Sequence, residues 1–369
     1  MKAKPKGARY RNIAARGAVL LLFIYSAGCN ETERTRLQAW LGNATAQEQL
    51  GEKYEAGEGV PRDSAKAANW YTKAAEQGDA IAQFNLALLY HKGDGVPKDT
   101  AKAAEWFGKA AEQGIVQAQL ALAFSYTEGD GVPEDKERAA GWYRNAAEQG
   151  NAQAQYNLGV LYQDGEGVAK DSAQAVEWYR KAAEQGYAMA QFNLAVSYAD
   201  GDGVPRDIAK AVDWYRKAAE QGYAFAQFNL GLLYFRGEGV PQDAATAVEW
   251  YRKAAEQGYA RAQLHLGIAY RRGTGVPEDT VKAAEWFGEA AEQGEVKAQL
   301  LLAGLYVGGE GVPQDLVRAH MWLNLAGAAG NATARDMLPT VEKHMTNEQI
   351  AEAEKLAREW HEAHRRTAQ

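Results

Sequence analysis

Trp178-Tyr179-Arg180-Lys181-Ala182-Ala183-Glu184-Gln185-Gly186 is the stretch that decides the fold, because its closing glycine returns every 36 residues. The series runs Gly42, Gly78, Gly114, Gly150, Gly186, Gly222, Gly258, Gly294 and Gly330. A fixed period of this length is the mark of one supersecondary unit stacked on itself. In such an array each unit touches only its neighbours, so a chain of 369 residues need not divide into separate globular cores.

One period, residues 151–186, shows what the unit is. Asn151 is an N-cap candidate, and Ala154, Leu158, Leu161 and Tyr162 follow it at helical spacing on one face. Asp164-Gly165-Glu166-Gly167-Val168 comes next, and its two glycines supply the positive φ that stops a helix and turns the chain. Asp171 is a second cap candidate. The helix behind it places Ala175, Trp178, Tyr179, Ala182 and Ala183 on a buried face and ends at Gly186. Each unit is therefore an αα-hairpin of two helices, each of about four turns. Comparison among the periods separates what the geometry dictates from what is free. Leu50, Tyr54, Asp63, Ala67, Trp70 and Ala74 each recur unchanged in all eight units, and the turn proline is missing only at Ala169. Alanines where helices cross let the backbones approach, and large aromatics from the neighbouring helix fill the space that remains.

Together, Ala-Gln-x-x-Leu-Gly-x-x-Tyr, Gly-x-Gly-Val-Pro-x-Asp and Ala-x-x-Trp-Tyr-x-Lys-Ala-Ala-Glu-Gln-Gly resemble Sel-one-like repeats (SLR), relatives of the tetratricopeptide class. The resemblance covers residues 43–330 in eight units: 43–78, 79–114, 115–150, 151–186, 187–222, 223–258, 259–294 and 295–330. It implies an all-α, right-handed α-solenoid (a superhelix) of eight 36-residue αα-hairpins with helical caps. Residues 29–42 read as a linker and N-terminal capping helix. His320-Met321-Trp322-Leu323-Asn324-Leu325-Ala326 resembles the closing repeat of such arrays. Residues 331–369 read as a degenerate half-repeat that Pro339 breaks, followed by a last helix that Thr346 and Gln349 open as a capping box.

Residues 1–28 join a basic start to an apolar run from Ala18 to Ile24 and end in small residues, the layout of a signal peptide. That run is shorter than the roughly 20 residues needed to cross a bilayer. Ala27-Gly28-Cys29 resembles the bacterial lipobox, with Ser26 standing where that pattern carries leucine. The expectation is a lipid anchor on Cys29 and residence in the bacterial cell envelope, in the periplasm or membrane-anchored; the alternative is a plain signal peptide that leaves an idle thiol. Net charge is −7, but without the six basic residues ahead of Cys29 the remaining 35 basic residues face 48 acidic ones, a net −13. A surface so acidic repels phosphate backbones, which excludes nucleic acid as the expected partner. The single cysteine excludes an intrachain disulfide.

No arrangement of residues specifies a catalytic site, a metal site or a cofactor. His361 and His364 share a helix face but have no evident third ligand. Asp200-Gly201-Asp202-Gly203 is the same turn found in every unit, without the glutamate of a calcium loop. The informative signal is variation. By resemblance to tetratricopeptide arrays, the first helix of each unit lines a concave groove through positions 81, 84, 88, 91 and 92 and their equivalents. Units six and seven place Phe225, Phe228, Phe235, Arg236, Arg261, Arg271 and Arg272 there, residue types that dominate binding hot spots. The expected function is a non-enzymatic scaffold that captures a protein or peptide, acidic or presenting its C-terminus. The alternative reading for the cluster is drift on a solvated face with the arginines paired to glutamates. Two rival functions are a β-lactam-binding or hydrolysing enzyme, as in the cysteine-rich branch whose cysteines this chain lacks, and a self-assembling structural protein. Cys29→Ala is expected to abolish incorporation of radiolabelled palmitate in a bacterial host, and incorporation that survives the change would remove the anchor.

Overall fold

A computed structural model describes residues 30–366, and the signal-peptide and Cys29 readings fall outside them. The described residues fall into two compact units, divided between Trp178 and Tyr179. The described part of the first contains α1 (Glu31–Trp40), α2 (Ala44–Ala56), α3 (Ser64–Glu76), α4 (Ala80–Lys92), α5 (Thr100–Glu112), α6 (Val116–Glu128), α7 (Lys136–Glu148) and α8 (Ala152–Asp164). The division falls within α9 (Ser172–Glu184). The second contains α10 (Ala188–Asp200), α11 (Ile208–Glu220), α12 (Ala224–Arg236), α13 (Ala244–Glu256), α14 (Ala260–Arg272), α15 (Thr280–Glu292), α16 (Val296–Gly308), α17 (Leu316–Ala328), α18 (Ala332–Glu342) and α19 (Asn347–Arg366). Among the described residues there is no strand. Each unit is an α-solenoid: helices pair in chain order and pack chiefly on the helices before and after them.

Local chemistry sets the helix boundaries. Asp63, Asp99, Asp135, Asp207, Asp243, Asp279 and Asp315 precede the second helices in extended conformation, and each accepts the backbone N–H three residues on. Such a cap contributes on the order of 1 kcal/mol. The N–H of each of these aspartates also donates to the carbonyl of the tyrosine nine residues earlier, as from Asp99 to Tyr90 at 2.9 Å, which closes the turn between the helices. The two turn glycines have different duties. Gly93 ends α4 in the left-handed region at φ +75°. Gly95, at φ +71°, lies so close to the Ser64 backbone at the start of α3 that a Cβ would strike it. The second glycine therefore serves the stacking of one hairpin on the next.

Alanine columns carry the packing. Ala67, Ala74, Ala82 and Leu86 are sealed in one cluster with Tyr71, and Ala211, Ala218, Ala226 and Leu230 in an equivalent one with Tyr215. The tryptophans depart from expectation. Trp70, Trp106, Trp214 and Trp250 are only half-buried, and the motif lysine three residues on lies over each ring, at 4.0, 3.8, 3.7 and 4.0 Å. The buried aromatic is the next residue: Tyr71, Phe107, Tyr143, Tyr179, Tyr215, Tyr251 and Phe287. One residue is 100° around the helix, enough to move a ring from the core to its edge.

A buried glutamine in every first helix joins the hairpins. In the first unit the Nε2 of Gln83 donates at 3.1 Å to Ala75 O, a last-turn carbonyl of α3 that also accepts the Gly78 N–H. Its Oε1 accepts from Gln113, the C-cap of α5, at 2.8 Å. Gln119 bonds Ala111 O and Gln149 in the same way. In the second unit Gln227 bonds Ala219 O at 3.1 Å and Gln257 at 2.8 Å, and Gln191 and Gln263 repeat the pattern. The Gln of Ala-Gln and the Gln of Glu-Gln-Gly are thus the two halves of one device. The last repeat breaks it: Ala329 stands where the others have glutamine, and the buried Oε1 of Gln299 has no partner.

At the C-terminus α18 continues through Pro339 to Glu342, so the proline does not break the helix as expected. Met337, Leu338 and Val341 around it pack into the terminal core, which outweighs one lost backbone bond at an exposed position. Thr346 N–H donates to Gln349 Oε1 at 2.9 Å, with the reciprocal bond at 3.3 Å, opening α19. Trp360 then stacks edge-on against Trp322 and donates to Glu292 at 2.8 Å. Ala329→Gln is expected to stabilise the protein by about 1 kcal/mol by supplying the missing donor. Gln227→Leu, which removes both bonds of the joint at once, is expected to cost about 1–3 kcal/mol in denaturant unfolding.

Candidate functional site

The second unit holds the residues singled out from the sequence. Three of its first helices forgo a side-chain cap, as the helix behind Ile115 does in the first unit: Tyr187, Tyr223 and Tyr259 stand at N-cap positions and accept no backbone N–H. Asn43, Asp79, Asn151 and Asn331 do so at the equivalent places. Each substitution forfeits on the order of 1 kcal/mol, and rings take up the position instead. Phe225 lies 4.9 Å from Tyr259 and 5.5 Å from Tyr223, and Phe192 meets Tyr223 edge-on at 5.3 Å. Phe225 remains 46 % exposed and Phe235 40 %.

Phe228 is the correction. It was expected on the open face, but only 5 % of it is exposed. Its ring is enclosed by Tyr251, Tyr259 and His265 at 5.7, 5.3 and 5.2 Å, because this column tilts into the contact between successive hairpins. Phe228 therefore anchors the patch from beneath and offers no contact surface.

The cations divide by partner. Arg271 pairs with Glu310 at 3.5 Å and Arg236 reaches Glu238 at 3.8 Å, both at exposed sites where such pairs contribute little. No carboxylate lies within ion-pair distance of Arg261, Arg272 or Lys297 among the described residues. Arg261 and Lys297 sit in the first turns of α14 and α16, where positive charge opposes the helix dipole, so neither serves its own helix. His265 registers their convergence. Burial, then Lys297, Arg236 and Arg261, push its imidazole down to about 4, so it is neutral at pH 7. Behind it the Tyr251 hydroxyl is sealed and without a partner, Phe235 standing where Glu55 accepts the equivalent Tyr71 hydroxyl. Together these residues make an exposed aromatic and cationic face with a neutral histidine at its floor.

The first unit holds a site that the sequence reading missed. The equivalent positions of the first repeat carry Glu48, Glu52 and Glu55, and here lies an open cleft of about 680 Å³ lined by Glu31, Glu52, Glu55, Glu58, Lys53 and Tyr71. Tyr71 donates to Glu55 at 2.8 Å, and Lys53 meets Glu31 at 3.4 Å. Glu48 is 6 % exposed, and its Oε1 is sealed without a hydrogen bond. Burial, then the Glu52 carboxylate beside it, pushes the Glu48 carboxyl up to about 8. The signal was present in the columns. The Glu48 position is Phe84, Leu120, Tyr156, Phe192, Phe228, Leu264 and Leu300 in the other repeats, and the Glu52 position carries no other charge. Repeats two to four carry a smaller apolar groove of about 280 Å³, where Phe124 is half-exposed between Leu88, Leu120 and Tyr143.

No three metal-ligating side chains converge among the described residues, and His364 is stacked on Trp360 with its Nδ1 2.7 Å from the Trp360 carbonyl.

Comparison with known proteins yields one family model, the Sel1 repeat, matched eight times in succession from residues 44–79 to 296–331. A Sel1 repeat protein from Oxalobacter formigenes is similar at 36 % identity over 87 % of this chain and 93 % of its own, with a TM-score of 0.70. A protective antigen present in uropathogenic Escherichia coli strains and displaying an SLR fold is 34 % identical over 98 % of this chain and 95 % of its own, with a TM-score of 0.49. The comparison with curated proteins returns no match.

A carboxyl raised on folding contributes stability that is complete below its unfolded value near 4.5 and is lost as pH rises through about 8. Glu48→Leu, which installs the side chain found at this register in three other repeats, should therefore be more stable than the parent, by a margin that grows from pH 6 to pH 9. The widening is expected to be on the order of 2 kcal/mol by urea unfolding, and a constant margin would contradict the buried carboxyl.

Proposed function

Because this chain belongs to the Sel1 repeat family, whose fold commonly serves as a non-catalytic scaffold for protein–protein interaction, we propose that it captures a protein or peptide partner on the first-helix face of its second unit. The observation that carries this reading is the face built by Phe225, Phe235, Arg236, Arg261 and Arg272. It combines exposed rings with Arg261 and Arg272, which have no carboxylate within ion-pair distance among the described residues, and Arg236, whose pair with Glu238 is exposed and 3.8 Å long; two of the host repeats give up a helix cap. Rings of low conformational entropy with unneutralised arginines are the composition of binding hot spots. Arg271, held by Glu310, plays a rim part, and Phe228 and Tyr259 fix Phe225 from below.

The partner that complements this face is acidic: an anionic segment, or a chain terminus with its carboxylate, would neutralise Arg261 and Arg272 while an apolar side chain covers Phe225. The face stands out on a chain whose overall balance is acidic, so long-range attraction confines an acidic partner to it. The setting in this reading is the bacterial cell envelope, with a lipid anchor at Cys29 as the only membrane attachment; both rest on the leader's residues alone.

The test is capture by crosslinking from envelope fractions, comparing the parent with a variant that carries Arg236→Glu, Arg261→Glu and Arg272→Glu. The variant is expected to lose at least tenfold of the captured partner, with unchanged helicity by circular dichroism and with parental capture that weakens as salt is raised. Identical capture by parent and variant would place the partner elsewhere.

A further inference from the structure

Beneath the second-unit face lies a hydroxyl that the fold does not use. Tyr251 is 2 % exposed, and its hydroxyl is sealed without a hydrogen-bond partner. Other repeats satisfy the same group. In the first, the Tyr71 hydroxyl donates at 2.8 Å to the carboxylate of Glu55, sixteen residues earlier. In the third, the Tyr143 hydroxyl is met by Thr127, at the Glu55 register, and by Asn157 from the next helix. Around Tyr251 those two positions hold Phe235, which cannot accept, and His265, whose ring centroid lies 5.4 Å away without a bond to the hydroxyl. A sealed hydroxyl with no partner is destabilising. Two repeats avoid it by placing Phe107 and Phe287 at this position, and the sixth does not.

The groups around this hydroxyl are positive. Burial pushes it above the ordinary phenol range, and the Arg236 charge draws it back. Besides burial, the charges of Lys297, Arg236 and Arg261 act on His265. His265 is half-buried, and neither of its ring nitrogens has a hydrogen-bond partner among the described residues. Arg261 and Lys297 have no carboxylate within ion-pair distance, and Arg236 has only its exposed pair with Glu238. Three cations, an unbonded imidazole and an unbonded hydroxyl face one place, and a carboxylate is what that place lacks.

Resting on the reading that this face captures a partner, we infer that Tyr251, His265, Arg236, Arg261 and Lys297 form a subsite for a single carboxylate. Its oxygens take the part that Glu55 plays for Tyr71. One accepts from the Tyr251 hydroxyl and the other from the single N–H of the neutral imidazole, while the arginines and the lysine balance the charge. Because the hydroxyl is sealed, entry displaces Phe235, the exposed ring that stands in the Glu55 register. The chain's own template is a planar carboxylate with two acceptor oxygens, not a tetrahedral oxyanion. The carboxylate belongs to an acidic side chain or to a chain terminus.

The experiment follows the imidazole NMR signal of His265 in the full chain at pH 7, identified by its loss in His265→Asn. Two probes carry one carboxylate each: acetyl-Gly-Leu-Phe with a free C-terminus, and acetyl-Leu-Glu-Phe-amide. Acetyl-Gly-Leu-Phe-amide and inorganic phosphate are the controls. A carboxylate peptide is expected to shift the signal saturably, and Tyr251→Phe to weaken that peptide about tenfold. The same change removes an unpartnered hydroxyl, so urea unfolding is expected to stay unchanged or move to higher denaturant, and lost packing cannot account for the lost affinity. Arg261→Gln, which installs the residue found at this register as Gln117 and Gln153, should weaken the peptide as well and carries the test should Tyr251→Phe fail to fold. Saturation by the first peptide, the second or both supports the subsite and identifies the source of carboxylate it accepts. Equal binding of the amide control, preference for phosphate, affinity unaltered in the variants, or no saturable shift overturns it. Capture from envelope fractions separates this inference from the reading beneath it. Capture kept by Tyr251→Phe but lost with the three arginines removes the subsite and leaves the face, whereas capture indifferent to both removes the face itself.

Discussion

The structure depends on a side-chain amide with two obligations. A helix end leaves carbonyls without intrahelical partners, and stacking one hairpin on the next buries those ends. The first-helix glutamine ties these ends together by donating to a last-turn carbonyl of the preceding hairpin while accepting from the C-capping glutamine of its own, as Gln83 does with Ala75 and Gln113. The bond to the carbonyl is buried and the one from the C-capping glutamine partly so, and a satisfied buried polar network fixes one arrangement where a half-satisfied one is costly. The joint therefore sets the spacing of successive hairpins, and the alanine columns, the capping aspartates and the close-approach glycines fit around it. Where the array ends, at Ala329, the joint is left half made.

Fixing so much of each repeat leaves few places where sequence can differ without loss, and those places lie on the first helices. At the same register the chain carries Glu48, Glu52 and Glu55 in its first repeat, an apolar groove around Phe124 in the next ones, and aromatic and cationic residues in the sixth and seventh. Each of these departures costs something. The buried Glu48 carboxyl resists ionisation, the tyrosines at three helix starts give up a cap, and Arg261 and Lys297 oppose a helix dipole. Features that a fold spends stability to keep are where function is to be sought.

Helix boundaries, caps and the repeating hairpin were legible in the sequence because each has a local cause: an aspartate that can reach an N–H, a glycine that can adopt positive φ. What depended on angle around a helix was less so. Trp178 and Tyr179 are adjacent and equally apolar on paper, yet the second is buried and the first half-exposed. Phe228 reads as a twin of Phe225, but three residues turn a side chain from solvent into the hairpin contact. Pro339 reads as a stop, and the burial of its neighbours overrides it. The glutamine joint was written in every repeat as two motif residues, but their partnership spans 30 positions and no local rule connects them. The acidic cleft was legible too, in two columns whose charge appears only once, and was passed over because attention followed the arginines.

The most direct test of this account is a double-mutant cycle on the joint itself, Gln83→Leu and Gln113→Leu singly and together, read by denaturant unfolding. The account predicts a coupling energy of about 1 kcal/mol or more, the double variant losing clearly less than the two singles combined. Strict additivity would mean that the two amides act separately, and that the alanine packing alone holds one hairpin against the next.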